Sequence, residues 1–160
     1  MTDSTHTGGC QCGAVRFRVK GPLGDASVCH CRMCQKAAGN FYLPLVSVRS
    51  AKLTWTRGAP KRFQSSNFVK RGFCGDCGTP LTFEAPDGVA LAIAAFDKPQ
   101  GIVPKIQWGI EAKVPYVDHI PKLPGEDTMA DQDPASFLAR LVSYQHPDHD
   151  TTEWPPKERG

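Results

Sequence analysis

The sequence predicts one mostly β domain that ends in a short C-terminal helix. Three observations carry that prediction. Short stretches alternate apolar and polar residues with a period of two, the pattern of strands with one buried face. Fourteen prolines and fifteen glycines cut the chain into many turns. Only two stretches, 32–38 and 133–142, have helical spacing. The 160 residues suffice for a single domain with a real core, and 40% hydrophobic with 22% charged residues is ordinary for a soluble globular protein.

Taken in order, residues 1–8 are polar and read as a frayed start. Gly8-Gly9-Cys10-Gln11-Cys12-Gly13 reads as a glycine-flanked loop. Val15, Phe17 and Val19 alternate with Arg16, Arg18 and Lys20 as a half-buried strand, and 21–25 turns the chain. Residues 26–30 form a short strand leading into Cys29-His30-Cys31-Arg32-Met33-Cys34. Arg32–Ala38 suits two turns of helix, stopped by Gly39-Asn40. Residues 41–48 are β-forming but contain Pro44, which predicts an edge strand or a bulge. Strands follow at 52–56 and 62–66. Residues 68–73 run into Cys74-Gly75-Asp76-Cys77-Gly78-Thr79-Pro80, and 81–84 leave it as a strand. Ala85-Pro86-Asp87-Gly88 reads as a hairpin turn, and the apolar run 89–96 as a central strand buried on both faces. One more strand is predicted within 103–110. Residues 122–133 read as an exposed connection. Asp133-Pro134 then starts an amphipathic helix carrying Phe137, Leu138, Leu141 and Val142. The tail from His146 to Pro156 is polar and irregular.

The charge of +3 is small and its basic residues are scattered, which argues against a nucleic-acid partner. No apolar run approaches the roughly 20 residues of a membrane span. The first residues lack the basic start and apolar core of a signal peptide. The expectation is a soluble, cytoplasmic protein whose thiols stay reduced.

Seven cysteines stand at 10, 12, 29, 31, 34, 74 and 77, grouped as two, three and two. The odd count and the Cys-x-Cys neighbours make a disulfide framework a poor reading, and the grouping is too regular for scattered core cysteines. Metal binding explains the set. Cys10, Cys12, Cys74 and Cys77 can close a tetrahedral four-thiolate zinc site, the structural kind. Cys29, Cys31 and Cys34 are then left with no fourth cysteine, and three thiolates with one open position are the catalytic kind. His30 lies between two ligands and points away if the turn is extended there. A rival arrangement joins Cys31 and Cys34 with Cys74 and Cys77 as a zinc ribbon, but it strands Cys10, Cys12 and Cys29 and ranks second. The expectation is two zinc ions per chain, one structural and one catalytic and labile, since an exposed thiolate trio loses metal or oxidises easily.

Gly9-Cys10-x-Cys12-Gly13, Cys29-His30-Cys31-x-x-Cys34 and Phe73-Cys74-x-x-Cys77-Gly78-Thr79-Pro80-Leu81, in that order, resemble the glutathione-dependent formaldehyde-activating enzyme family, which includes centromere protein V-like proteins. Weaker agreement runs through Ala94-Ala95-Phe96-Asp97-Lys98-Pro99 and Pro115-Tyr116, so the resemblance implies a domain over 8–125 with a helix and polar tail at 126–160. It implies small twisted antiparallel sheets of the zinc-binding β-tent kind, related to zinc ribbons. It also implies the same division of zinc ligands, and a carbon–sulfur lyase that joins formaldehyde to the thiol of glutathione, as an S-(hydroxymethyl)glutathione synthase does. Its partners are then a small-molecule thiol and a small aldehyde, with no nucleic acid or membrane. One stretch departs: Gln107-Trp108-Gly109 stands where the family often has His-Ile-Trp or His-Ile-Tyr. A different thiol or aldehyde therefore stays open.

Arg32, Lys36, Lys70 and Arg71 can grip carboxylates of a glutathione-like ligand, although a solvated charged face is the simpler reading for each. Phe41 and Tyr42 can wall a pocket or pack as strand core. His146, Asp148, His149 and Asp150 read as a surface-capping tail ahead of a further metal site. Against the enzyme stands a second class, a non-catalytic zinc module that binds a protein or nucleic acid. The incomplete trio favours the enzyme.

Overall fold

A computed structural model describes residues 4–128, 133 and 136–154. Its strands are β1 (Thr5–Gly9), β2 (Arg16–Lys20), β3 (Ala26–Cys29), β4 (Leu43–Ser47), β5 (Lys52–Arg57), β6 (Lys61–Gln64), β7 (Lys70–Phe73), β8 (Pro80–Ala85), β9 (Gly88–Ala92) and β10 (Ile106–Trp108). They form a three-stranded sheet ordered β1-β2-β5 and a seven-stranded sheet ordered β10-β3-β4-β9-β8-β7-β6. Every pairing is antiparallel except β10 with β3, which is parallel. The mostly β class expected from alternation and turn density is the one observed.

The frayed start is a correction. Thr5–Gly9 pairs with β2 from Thr5↔Lys20 to Gly9↔Arg16. Asp97 N–H donates to Thr7 O at 2.9 Å, and Gly8 packs so closely that a Cβ would lie 2.3 Å from Ala95 O. Nothing local in a polar stretch announces such a strand; partners far along the chain impose it.

The core forms where the two sheets meet. Phe17 is fully buried, edge-on to Phe96 at 5.1 Å and to Trp55 at 6.1 Å, with Val19, Val46, Leu81 and Leu91 around it. Burying each such side chain contributes about 1.5–3 kcal/mol.

Helix α1 (Arg32–Ala38) starts where expected, with Cys31 as its N-cap: Cys34 N–H donates to Cys31 Sγ at 3.4 Å. It stops at Gly39, whose φ of 58° puts it in the left-handed region that ends helices. Pro44 sits inside the larger sheet, but β4 meets β9 only from Leu45 onward, so one side of Pro44 needs no donor. Strand β9 is central, as its apolar run suggests, and follows β8 through Pro86-Asp87. It ends at Ala92, however, and Ile93–Ala95, expected to continue it, forms a 3-10 turn. Only Leu91 and Ala92 are buried on it; Gly88, Val89 and Ala90 stay half-buried because they face a cleft.

The C-terminal helix is a single 3-10 turn, Leu138–Arg140. The amphipathic α-helix expected over 133–142 does not form among the described residues, and 134–135 lie outside them. Phe137, Leu141 and Val142 are all more than half exposed. A short helix without a packed apolar face is marginal in water. No helix among the described residues is long and apolar enough to cross a membrane. Beyond this turn the chain runs back to the smaller sheet: His146 N–H donates to Gln11 O at 2.7 Å.

Candidate functional site

Strand β1 delivers Cys10 and the following turn Cys12; the turn after β7 delivers Cys74 and Cys77. Their sulfurs all lie within 4.8 Å of one another. Cys10 Sγ is 3.6 Å from Cys12 Sγ, which is 3.8 Å from Cys74 Sγ. Tetrahedral zinc with Zn–S near 2.3 Å requires sulfurs roughly 3.8 Å apart, so the donor set fits that ion. Val15 N–H donates to Cys10 Sγ at 3.2 Å and Asp76 N–H to Cys74 Sγ at 3.4 Å, while Thr79 Oγ1 lies 3.1 Å from Cys77 Sγ. Without metal, burial pushes the Cys10 thiol up to about 12. Burial also raises Cys77, but hydrogen bonds from Thr79 outweigh it and bring that thiol to about 6.

The tail roofs this group. Trp154 Nε1 donates to Cys12 O, Arg57 Nη1 to Gly13 O at 3.1 Å, and Arg57 Nη2 to Thr151 O at 2.6 Å. Gly13 has φ of 79°, and a Cβ there would lie 2.4 Å from both His146 and Trp154. His146 is buried edge-on to Trp154 at 4.7 Å. Asp150 accepts from Arg16 at 2.8 Å and from Arg18 at 3.0 Å. These tail residues cap a surface; among the described residues none of them joins a metal-type cluster.

The second group gathers where β3 runs into α1. Cys29 ends the strand, Cys31 caps the helix and Cys34 lies in its first turn, with all three sulfurs within 4.8 Å. This excludes the ribbon arrangement, since Cys31 and Cys34 lie with Cys29 while Cys74 and Cys77 lie with Cys10 and Cys12. Burial pushes Cys29 up to about 12. Cys31 goes the other way: burial raises it, but hydrogen bonds from the Cys34 backbone and neighbouring thiols, with Arg71 nearby, hold it below its ordinary value.

Arg71 corrects the expectation of a solvated charged face. It is 4% exposed, and its Nη2 donates to Cys34 Sγ at 3.3 Å. Lys70, Arg32 and Lys36 do remain on the exposed surface. His30 is 1% exposed and points away from both cysteine groups, with its Nε2 2.9 Å from Gln107 Oε1 and its ring edge-on to Tyr42 at 5.4 Å. Gln107 and Trp108 therefore stand beside the trio, opposite Val28 and Cys29 in the β3–β10 pairing. Gly109 has φ of 64°, and a Cβ there would lie 2.7 Å from Cys31 N, so only glycine lets this segment pass the cysteine turn. Gln35 Nε2 ties the turn down by donating to His30 O at 2.6 Å and Ala112 O at 2.9 Å. Sequence reasoning missed Gln35. It named Arg71 as a candidate ligand grip and Gly109 in the departing stretch, but not their places against the cysteine turn. The strand period at Lys70-Arg71, one residue out and the next in, is the one signal that bears on any of them.

On one side the trio faces a cleft of about 640 Å³, lined by Cys29, Cys34, Leu45, Phe83, Ala90 and Trp108, with Lys105 and Arg49 also on its wall. Phe41 takes no part in that lining and packs edge-on to Tyr116 at 5.2 Å. The two groups thus differ in access: one is covered by chain, the other opens on an apolar cleft.

A sequence model of the glutathione-dependent formaldehyde-activating enzyme family matches residues 5–111. An uncharacterized lyase of Schizosaccharomyces pombe is 26% identical over 83 residues, which are 52% of this chain and 60% of that protein. The chain thus spans about three-fifths of that relative's length. A crystal structure of a Rhodobacter sphaeroides protein aligns with 64% of this chain and 98% of its own, at 24% identity and a TM-score of 0.49.

Proposed function

The chain belongs to the glutathione-dependent formaldehyde-activating enzyme family, and from that premise we propose a zinc-dependent carbon–sulfur lyase that forms or cleaves the adduct of a small aldehyde with a thiol such as glutathione. The observation that carries this reading is the trio of Cys29, Cys31 and Cys34, drawn together without a fourth cysteine beside an open cleft. In this reading Cys10, Cys12, Cys74 and Cys77 hold a structural ion, and Cys29, Cys31 and Cys34 hold the catalytic one. A zinc ion with three protein ligands keeps a position for an incoming group and, as a Lewis acid, lowers the pKa of what binds there.

The chain's own residues do the rest. Leu45, Phe83, Ala90 and Trp108 give the cleft apolar walls against which the two reactants are oriented. In the forward direction the thiol sulfur forms a bond to the aldehyde carbon, the carbonyl π bond breaks and the thiol proton ends on the oxygen. Cleavage reverses each change. The cleft is far larger than formaldehyde, so its volume suits the thiol. Seven cysteines free of disulfides suit a reducing, cytoplasmic setting.

The test is exchange spectroscopy on glutathione and formaldehyde with and without the zinc-loaded protein. Faster exchange is the expected result. No acceleration with this pair or with other small aldehydes and thiols would overturn the enzyme reading in favour of a zinc module that binds a macromolecule.

A further inference from the structure

Two arginines are buried among the described residues, and they are compensated differently. Arg16 is held by Asp97 through bonds of 2.6 and 2.7 Å and by Asp150 at 2.8 Å. Arg71, equally buried, has no carboxylate within ion-pairing distance among the described residues. Its partners are Ser65 Oγ, 2.9 Å from Nε, the Phe83 ring, 5.0 Å below the guanidinium carbon, and Cys34 Sγ, 3.3 Å from Nη2. A buried permanent cation needs a counter-charge, and among its partners in the described residues the cysteine sulfur is the one that can supply it.

The geometry suits a guanidinium. In the β6-β7-β8 register Arg71 lies between Phe63 and Phe83. A planar fork can stack on an aromatic face while donating to two separate acceptors. The four-cysteine group differs: among the described residues its sulfurs take backbone N–H and hydroxyl contacts and no arginine or lysine hydrogen bond, although the Lys61 side chain lies against Gly75 in the same loop.

We propose that Arg71 is the counter-ion of the three-cysteine group, a positioning residue that orients Cys34 and sets the charge of the loaded site so that a fourth, anionic sulfur can enter. Three thiolates with a divalent ion carry a formal −1, and Arg71 brings that to zero. An entering thiolate then returns the site only to −1, half the charge of a four-thiolate zinc group with no such cation. The part about the entering thiol rests on the lyase reading; the part about holding metal does not.

The experiment follows zinc release to a chromophoric chelator from the wild-type protein, Arg71→Met and Arg71→Lys, with circular dichroism on each. The wild type should release two ions in separable steps. In Arg71→Met the weaker ion should be held about 10–100-fold less tightly, the usual cost of losing an outer-shell partner, while the tighter ion is unchanged. Arg71→Lys should recover part of that loss, because it restores charge without the fork. A Met variant that binds both ions like the wild type overturns the proposal, and so does an equal loss in the Lys and Met variants, which would make Arg71 packing alone. Should Arg71→Met fail to fold, Arg71→Gln, which keeps hydrogen-bonding groups and loses the charge, takes its place: wild-type affinity for both ions overturns the proposal, and selective weakening of one supports it. A KM for glutathione raised more than kcat is lowered in Arg71→Lys supports the entering-thiol part. Metal release is read without turnover, so an inactive wild-type protein would sink the lyase reading and leave this assignment standing.

Discussion

The two cysteine groups share ligand chemistry and differ in almost everything around it. Cys10, Cys12, Cys74 and Cys77 come from two turns far apart in sequence, and the tail from His146 to Trp154 is laid over them. Cys29, Cys31 and Cys34 come from one strand end and one helix start, with a cation behind them and a cleft in front. In the first group an ion would cross-link the chain, so its loss acts on the fold. In the second an ion would hold only a local turn, so its loss acts on chemistry. Each prediction below separates these two roles.

The largest effect is expected from Cys77→Ser. Structural zinc contributes about 10–16 kcal/mol of apparent binding energy, comparable to or above the 5–15 kcal/mol stability of a typical domain. The variant should lose its folded circular dichroism spectrum. Cys31→Ser should keep that spectrum, bind one zinc instead of two and lose lyase activity. The opposite pattern would exchange the roles of the two groups.

Next comes the clamp beside the closed group. Asp97→Asn leaves Arg16 buried with Asp150 alone, and breaking a buried pair costs about 3–5 kcal/mol, with the lower end expected because one partner remains. Burial raises the Asp97 carboxyl, but the bonds from Arg16 and Thr7 outweigh it and hold the group below its ordinary value. A depressed carboxylate stabilises the fold above its unfolded pKa of about 3.9, and that contribution is lost as pH falls through the folded value. The melting temperature of the wild type should therefore drop below about pH 4, and Asp97→Asn should flatten that drop.

A smaller, selective effect is expected at Trp154. Trp154→Ala removes the donor to Cys12 O and uncovers Gly13. Zinc in the closed group should then pass to a chelator several-fold faster, while the ion of the three-cysteine group exchanges as before. Equal acceleration at both groups would mean that the tail acts on global stability instead of as a local roof.

The cysteine grouping was legible because ligand spacing is a short-range property and the count leaves one group a ligand short. Helix α1 was legible for the same kind of reason, with a capping turn at one end and Gly39 at the other. What escaped was long-range. Thr5–Gly9 is a strand only because β2 and Asp97 supply partners, and the tail's role depends on contacts such as Asp150 with Arg16, 134 residues apart. The apolar residues at 137–142 have helical spacing but stay exposed among the described residues. Arg71 was named as a candidate but read as solvated, since a Lys-Arg pair usually is, and only the pleat turns one of the two inward.

The smallest predicted effect sharpens the open group. Gln107, the residue that departs from the family pattern, is exposed yet meets buried His30 Nε2 at 2.9 Å. Removing one partner of a buried polar group leaves it unsatisfied, at about 1–3 kcal/mol, and Gln107's exposure lets water replace it and points to the low end. Gln107→Ala should therefore lower the melting temperature by roughly 2–4 °C for a chain of this size. Two zinc ions should remain, because neither cysteine group contains His30 or Gln107. If the variant instead loses the weaker ion, the His30–Gln107 pair supports the three-cysteine turn directly. The boundary between the site and its wall would then move outward from the cysteines to β10.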